Sequence, residues 1–529
     1  MTNQRKPTSA STSRKGKDKD KDKDKDKDKD KDKDKDKDKD KGKNFSRDIN
    51  KSGNKGNEQT EWLPPQGPKS PLVIEEVLFE IVSRLDKHSL HSCVSVNRIF
   101  YRAAVRALWM SVQWKSPLSN PSFLPEMLRY GHNAIELQDN FDADLDIIAE
   151  KCTRLRELRL VWTQATDSKL HKILVASPNI STLCLYNCKP LTTLAFSHIQ
   201  ALSGLKKLEI KNMLHVDEAS IAGILRSCPM IEHLVLEDVR LERVAMESLG
   251  VTPLRIRTFA LTRSSPTGSF VRNILRNAPM LREFSLARNL HSALLTEDLL
   301  PGPDMYGHLV SLNLESCKTI ASEALLAVLK LCTGLERINL CGTFVDDASL
   351  DVIASNSQRL TSLNLGWCAQ ISDVGLLQVL TVSRQLIFLD ISSHCVLTAG
   401  IFRPDLVWAC SRLQTLIMIG IDMMHPGGMV QPNHTMMYNQ LSRLLCLQDL
   451  AIGAPSQDLQ LEAGFDQMGK LVNLESFRVH HLQSPLGEDE IRWLVEAWPK
   501  LKRLKVEAAS LSEPWRRYFR RRRPHLILG

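Results

Sequence analysis

LTSLNLGWCAQISDVGLLQVL, residues 360–380, carries two hydrophobic periods in succession. Leu363 and Leu365 alternate with Ser362 and Asn364, the period of two that a half-buried strand requires. From Asp373 onward the apolar side chains return at Leu376, Leu377 and Leu380, the three-to-four spacing of a helix. A strand and a helix this short bury too little alone, so such a unit must stack on copies of itself. The copies are present. The pattern L-x-x-L-x-L occurs fourteen times, beginning at Leu155, Ile180, Leu205, Ile231, Ile256, Leu281, Leu309, Leu335, Leu360, Leu386, Leu413, Leu447, Leu474 and Leu501. Most steps are 25 to 28 residues and one is 34. Ile135 and Leu137 form an apolar pair that reads as an atypical opening strand, and Ser322–Leu331 is another helical stretch of the Asp373–Leu380 type. The expectation is an α/β solenoid over residues 131–507, its parallel strands making a sheet about 70 Å long, the size of a protein-binding surface.

Charge is unevenly placed along the 529 residues. Residues 1–60 hold 21 Lys/Arg against 14 Asp/Glu, the last fifteen hold six arginines and no acid, and residues 61–514 hold 43 basic against 47 acidic side chains. A slightly acidic body gives no reason to expect specific nucleic-acid binding there. No stretch approaches the ~20 apolar residues of a membrane helix, and the N-terminus has no apolar segment of the signal type. A soluble intracellular protein of cytoplasm or nucleus is expected. Twelve cysteines are scattered singly, with no CxxC pair; they read as small buried apolar residues, with no metal or cofactor expected.

Lys17 to Asp40 is a strict Lys-Asp alternation, which puts like charges at i and i+4 of any helix and offers nothing to bury. It reads as a disordered spacer within a tail covering residues 1–60. The long step between Leu413 and Leu447 holds Pro426-Gly427-Gly428 among five methionines, which reads as loop padding with an adaptable surface as the alternative. The C-terminal segment 508–529, with WRRYFRRRRP, reads as a capping helix whose aromatics pack on the last repeat while its arginines stay solvated; anion binding is the alternative.

Residues 70–114 have another texture. Ile74, Val77, Leu78, Ile81, Val82 and Leu85 form one helical stripe, Asp86-Lys87-His88 breaks it, and two shorter apolar stripes come after, Leu90 to Val96 and Phe100 to Trp109. Three short helices bury too little to be comfortable alone. The segment resembles the F-box at Glu75, Glu76, Val77, Leu78, Ile81, Leu85, Asp86, Leu90, Val96, Asn97, Arg98, Phe100, Leu108 and Trp109, and departs from it where Val73-Ile74 replaces the usual Leu-Pro. The resemblance implies docking on a Skp-type adaptor, and through it on a cullin ubiquitin ligase. The adaptor contacts would be Val73, Ile74, Val77, Leu78, Ile81, Leu85, Leu90, Val94, Val96, Asn97, Phe100, Leu108 and Trp109.

The repeats resemble the cysteine-containing class of leucine-rich repeats, in which Cys or Asn succeeds the strand and Ile-Ser/Thr-Asp comes next. Leu360, Leu363, Leu365, Cys368, Ile371, Ser372, Asp373, Gly375 and Leu376 fit that pattern, and Cys188 and Cys317 sit where Cys368 does, with Asn289, Thr163 and Thr343 elsewhere. The whole chain looks like fungal-type F-box/leucine-rich-repeat proteins, which implies a horseshoe with strands on the concave and helices on the convex face. It also implies a non-catalytic substrate receptor that holds a protein target for ubiquitination. A repeat scaffold or inhibitor independent of any ligase is the alternative. Trp162, Tyr186, Arg337, Trp367 and Phe388 are the candidate target anchors, the last three expected as a cluster on consecutive repeats. No phosphate-cradling Gly loop, HExxH or GxSxG occurs, and His480-His481 lacks spaced partners, so no enzyme activity is expected.

Overall fold

The structure, a computed structural model, describes residues 74–113, 123–140, 144–242, 253–289, 296–300, 302, 306–356, 358–392, 397–421, 423, 434–457, 459–482, 486–506 and 513–528. The Lys-Asp tail and most of the methionine-rich insertion lie outside the described residues.

Three helices come first: α1 (Glu75–Val82), α2 (Lys87–Val94) and α3 (Arg98–Leu108). The starts of α2 and α3 are written in side chains. Asp86 Oδ1 accepts the Ser89 amide at 2.9 Å, and Asn97 Oδ1 accepts the amides of Ile99 and Phe100 at 3.0 Å each. Such caps satisfy amides that a helix cannot pair within itself. Leu78, Val82, Leu90, Ala103 and Ala104 fill a small core of their own, separate from that of the repeats. The unit is pinned to the repeats by α4 (Phe123–Tyr130): the hydroxyls of Tyr101 and Tyr130 are 2.7 Å apart, and Trp109 stacks on Phe123 with ring centroids at 5.9 Å.

Among the described residues seventeen strands then form one sheet, every neighbouring pair parallel and in chain order, from β1 (Ser111–Gln113) and β2 (Glu136–Asn140) to β17 (Ile527–Leu528). The fourteen L-x-x-L-x-L matches supply β3 (Glu157–Val161) through β16 (Arg503–Lys505). The sheet therefore starts inside the segment read as helical and ends beyond the last match. Register aligns the middle leucines, Ile338 opposite Leu363 and Leu363 opposite Leu389, and the first residue of every triplet is buried in one continuous core running from Val112 to Leu526. Helices occupy the other layer.

Two devices join a repeat to the next. Seven residues after ten of the fourteen triplets begin, the backbone turns left-handed: Trp162, Asn187, Asn212, Asp238, Arg263, Arg288, Ser316 and Trp367 all have φ between 50° and 61°, and Gly342 and Gly420 take the same place. A non-glycine residue there costs on the order of 1 kcal/mol. Its amide, however, continues the ladder, as Trp162 N to Tyr186 O at 2.8 Å and Trp367 N to Ser392 O at 2.9 Å show. The second device explains the Ile-Ser/Thr-Asp pattern. Ser372 Oγ caps α13 (Asp373–Val382) by accepting the Val374 amide, while its own N–H and O–H donate to Asp347 of the preceding repeat at 2.8 and 2.6 Å. Thr192 does the same toward Asp167.

Candidate interaction surfaces

The six stripe residues, four on α1 and one beyond each of its ends, would span about 140° around a helix axis, too wide a sector to face one neighbour. The structure divides them. Leu78 and Val82 point into the helical core, whereas Ile74, Val77, Ile81 and Leu85 stand 38–46% exposed, and Val96 after α2 is exposed as well. Leu78 and Leu90, expected at the adaptor surface, are instead buried in the unit that would present it. Val94, Phe100 and Leu108 are half-buried against the same core, and Asn97 is occupied as the α3 cap. Trp109 is corrected more fully: it packs on the repeat core between Phe123 and Tyr130, because the chain has by then reached β1. Val73 lies outside the described residues.

On the strand face, side chains between the buried leucines form a paired network. Tyr186 donates its hydroxyl to Glu209, Lys207 Nζ lies 2.8 Å from Glu209 Oε1, and Lys211 and Arg263 flank Glu237 at 3.1 and 2.7 Å. Burial pushes the Glu209 carboxyl up, but Lys207 and Tyr186 together hold it below its ordinary value. Tyr186 itself is pushed up, first by burial and then by Glu209, so it stays a neutral donor tied into the face. Arg337 reaches Glu283 at 2.8 Å.

The cluster expected from Arg337, Trp367 and Phe388 is not assembled. Arg337 and Phe388 both register with Ser362, one on either side of it, whereas Trp367 lies five residues further on, at the left-handed turn and 69% exposed. Trp162 occupies the equivalent turn eight strands away, about 38 Å along the sheet. Reading triplets fixes which strand a residue is on, but the turn position only becomes visible once φ is known.

The inward turn position is structural. Cys317 and Cys368 thiols donate to the carbonyls of Leu286 and Leu340 at 2.8 and 3.0 Å, and Asn289 Nδ2 donates to Leu261 and Leu286 at 2.7 Å each. Burial pushes the Cys317 thiol up to about 11, and a protonated thiol is what such a donor needs. Among the described residues no group of three or more His, Cys, Asp or Glu could hold a metal ion.

A parallel sheet of regularly spaced leucine strands, backed by helices and joined by these turns, defines a leucine-rich-repeat protein of the α/β solenoid type. The protein is also related in sequence to F-box/LRR-repeat proteins: F-box/LRR-repeat protein 4 of Bos taurus is 26% identical over an alignment of 180 residues that covers 27% of this chain and 29% of that protein. The chain thus spans well under a third of that relative's length. Among solved structures, a leucine-rich-repeat protein of Leptospira interrogans is similar over 79% of this chain and 100% of its own, with a TM-score of 0.42 and 16% identity. The Rad7 and Elc1 complex of yeast is similar over 68% of this chain and 90% of the solved one, with a TM-score of 0.39 and 15% identity. No family model matches the chain.

Proposed function

We propose that this chain is a non-catalytic substrate receptor of a Skp–cullin–F-box ubiquitin ligase, of the cysteine-containing repeat class. The helical unit docks on the adaptor and the repeats hold a protein target near the conjugating enzyme, so the effect on the reaction is proximity alone. One observation carries the reading. A three-helix unit with a complete core of its own still exposes four aliphatic side chains along and just beyond α1, Ile74 at its N-cap, Val77 and Ile81 on it and Leu85 in the bend after it, and unpartnered groups of this kind mark protein contacts. The Val73-Ile74 opening leaves that group intact from Ile74 onward.

Co-expression with a Skp-type adaptor and capture on the full chain tests it. The adaptor should co-purify, and Ile81→Asp or Leu85→Asp should abolish capture while leaving the chain folded, because neither side chain is in the core. Absence of the adaptor, or capture indifferent to both substitutions, would return the protein to the class of repeat scaffolds that act without a ligase.

A further inference from the structure

Cations in the middle of the strand face are paired, whereas most of those along its entry edge are not. Lys207, Lys211, Arg263, Arg288 and Arg337 each lie within 3.1 Å of a glutamate. Along the edge where the chain enters the strands, Arg154, Arg156, Lys206, Arg255, Arg257 and Arg282 are all exposed. Only Arg257 has an ion-pair partner among the described residues, Glu232 at 3.5 Å. Backbone bonds prove the alignment: the amides of Ser181, Lys206, Glu232, Arg257 and Arg282 bond in turn to the carbonyls of Arg156, Ser181, Lys206, Glu232 and Arg257, at 2.7–2.8 Å. Arg156, Lys206, Arg257 and Arg282 thus share one row with Ser181 and Glu232, and Arg154 and Arg255 lie two residues before Arg156 and Arg257; six cations against the one carboxylate leave the row positive, on a body whose net charge is negative. A helix dipole accounts for basic residues in a last helical turn, but these six lie beyond the helices.

Within that row opens a hollow of about 410 Å³. Arg255, Arg257 and Glu232 form its walls, the last two an ion pair, so that Arg255 is the wall cation with no ion-pair partner among the described residues; Pro253, Leu254, Pro279 and Met280 give it an apolar lining, with Met280 47% exposed. From β3 to β8 (Glu283–Ser285) the row covers five strand steps, about 24 Å, which an extended peptide crosses in roughly seven residues.

We infer that this edge is a recognition site for a short acidic segment of a partner protein, which lays carboxylates along the arginine row and one apolar side chain into the hollow. This rests on the partner-holding role proposed for the repeats. Charge complementarity selects an anionic ligand. The apolar hollow, and the lack of any aromatic among the six row positions on which bases could stack, select a peptide over a single-stranded nucleic acid.

Fluorescence anisotropy on the full chain tests the site, using a labelled nine-residue peptide of Glu and Asp with one central Phe. Saturable binding is expected at about 150 mM salt, weakening as salt rises. Arg255→Glu with Arg257→Glu should weaken it at least ten-fold, and Arg517→Glu, on the exposed C-terminal helix, should leave it unchanged. Replacing the peptide's Phe by Ala should weaken binding, and the uncharged change Met280→Ser should weaken only the Phe-bearing peptide. If the double variant loses its far-UV circular dichroism, Arg154→Glu with Arg282→Glu serves in its place. No saturable binding, equal binding by the charge-reversed chains, or tighter binding of a labelled twenty-nucleotide single strand overturns the proposal. The assay contains no adaptor, so failure of adaptor capture and failure of peptide binding are read separately.

Discussion

Asn289 offers the sharpest test of how the repeats are held together. Its side chain is buried, with Nδ2 donating to the carbonyls of Leu261 and Leu286 and Oδ1 accepting the Ser264 amide, all at 2.7 Å. Asn289→Ala removes all three hydrogen bonds, taking the side-chain partner from the Leu261 carbonyl and the Ser264 amide while the Leu286 carbonyl keeps Cys317. At about 1 kcal/mol per hydrogen bond the loss is roughly 3 kcal/mol, and more if the Ser264 amide finds no water. Asn289→Cys should recover part of that. In the next repeat Cys317 occupies the same turn and donates to Leu286, so a cysteine at 289 can reach Leu261 in the same way and restore about 1 kcal/mol. Urea unfolding monitored by circular dichroism should therefore rank parent above Asn289→Cys above Asn289→Ala. Because each repeat couples only to its neighbours, the Ala variant should also show a broader transition as the two halves begin to unfold separately. An Ala variant within about 0.5 kcal/mol of the parent, or a Cys variant no better than Ala, would refute the account of this turn position.

The same geometry fixes two further outcomes. Leu78→Ala, in the helical core, should cost about 2–5 kcal/mol in thermal unfolding while Ile81→Ala on the exposed face costs under about 1; equal losses would mean that α1 does not have two faces. Burial pushes the thiols of Cys317, Cys332 and Cys410 up to about 11, 12 and 12. Folded values above the ordinary 9.0 stabilise the protein fully below pH 9, and that contribution is lost as pH rises through 11 to 12. The urea midpoint should accordingly fall from about pH 9 upward, and less steeply in Cys332→Ala; a midpoint flat to pH 11 counts against buried protonated thiols.

Much of the architecture was legible because it is periodic. A leucine that recurs every 25 to 28 residues can only be satisfied by stacking, so Leu335, Leu360 and Leu386 declared three neighbouring strands by spacing alone, and Ser372-Asp373 declared a helix start. The local chemistry at the turns was legible for the same reason, since Cys317, Cys368 and Asn289 share one slot with one task. Strands β1 and β17 were not, because neither carries the triplet: each pairs on one side only, at an end of the sheet, and its partner supplies what its own sequence lacks.

The surfaces were another matter. Sequence spacing marks an apolar residue without saying whether its partner is this chain or another, so Leu78 and Ile81 looked alike until packing on α3 chose between them. Trp109 looked like part of a docking helix until Phe123 claimed it. Charge fared the same way: a body balanced in composition is polarised in space, inner cations such as Lys211 and Arg263 met by glutamates while, among the described residues, Arg257 alone of the named entry-edge cations has an ion-pair partner. The amino-acid sequence by itself determined the repeat, its strands and its turns, since those depend on neighbours 25 or so residues apart at fixed spacing. Only the tertiary structure decided which side chains remain exposed for a partner, because exposure is a property of what the rest of the chain covers.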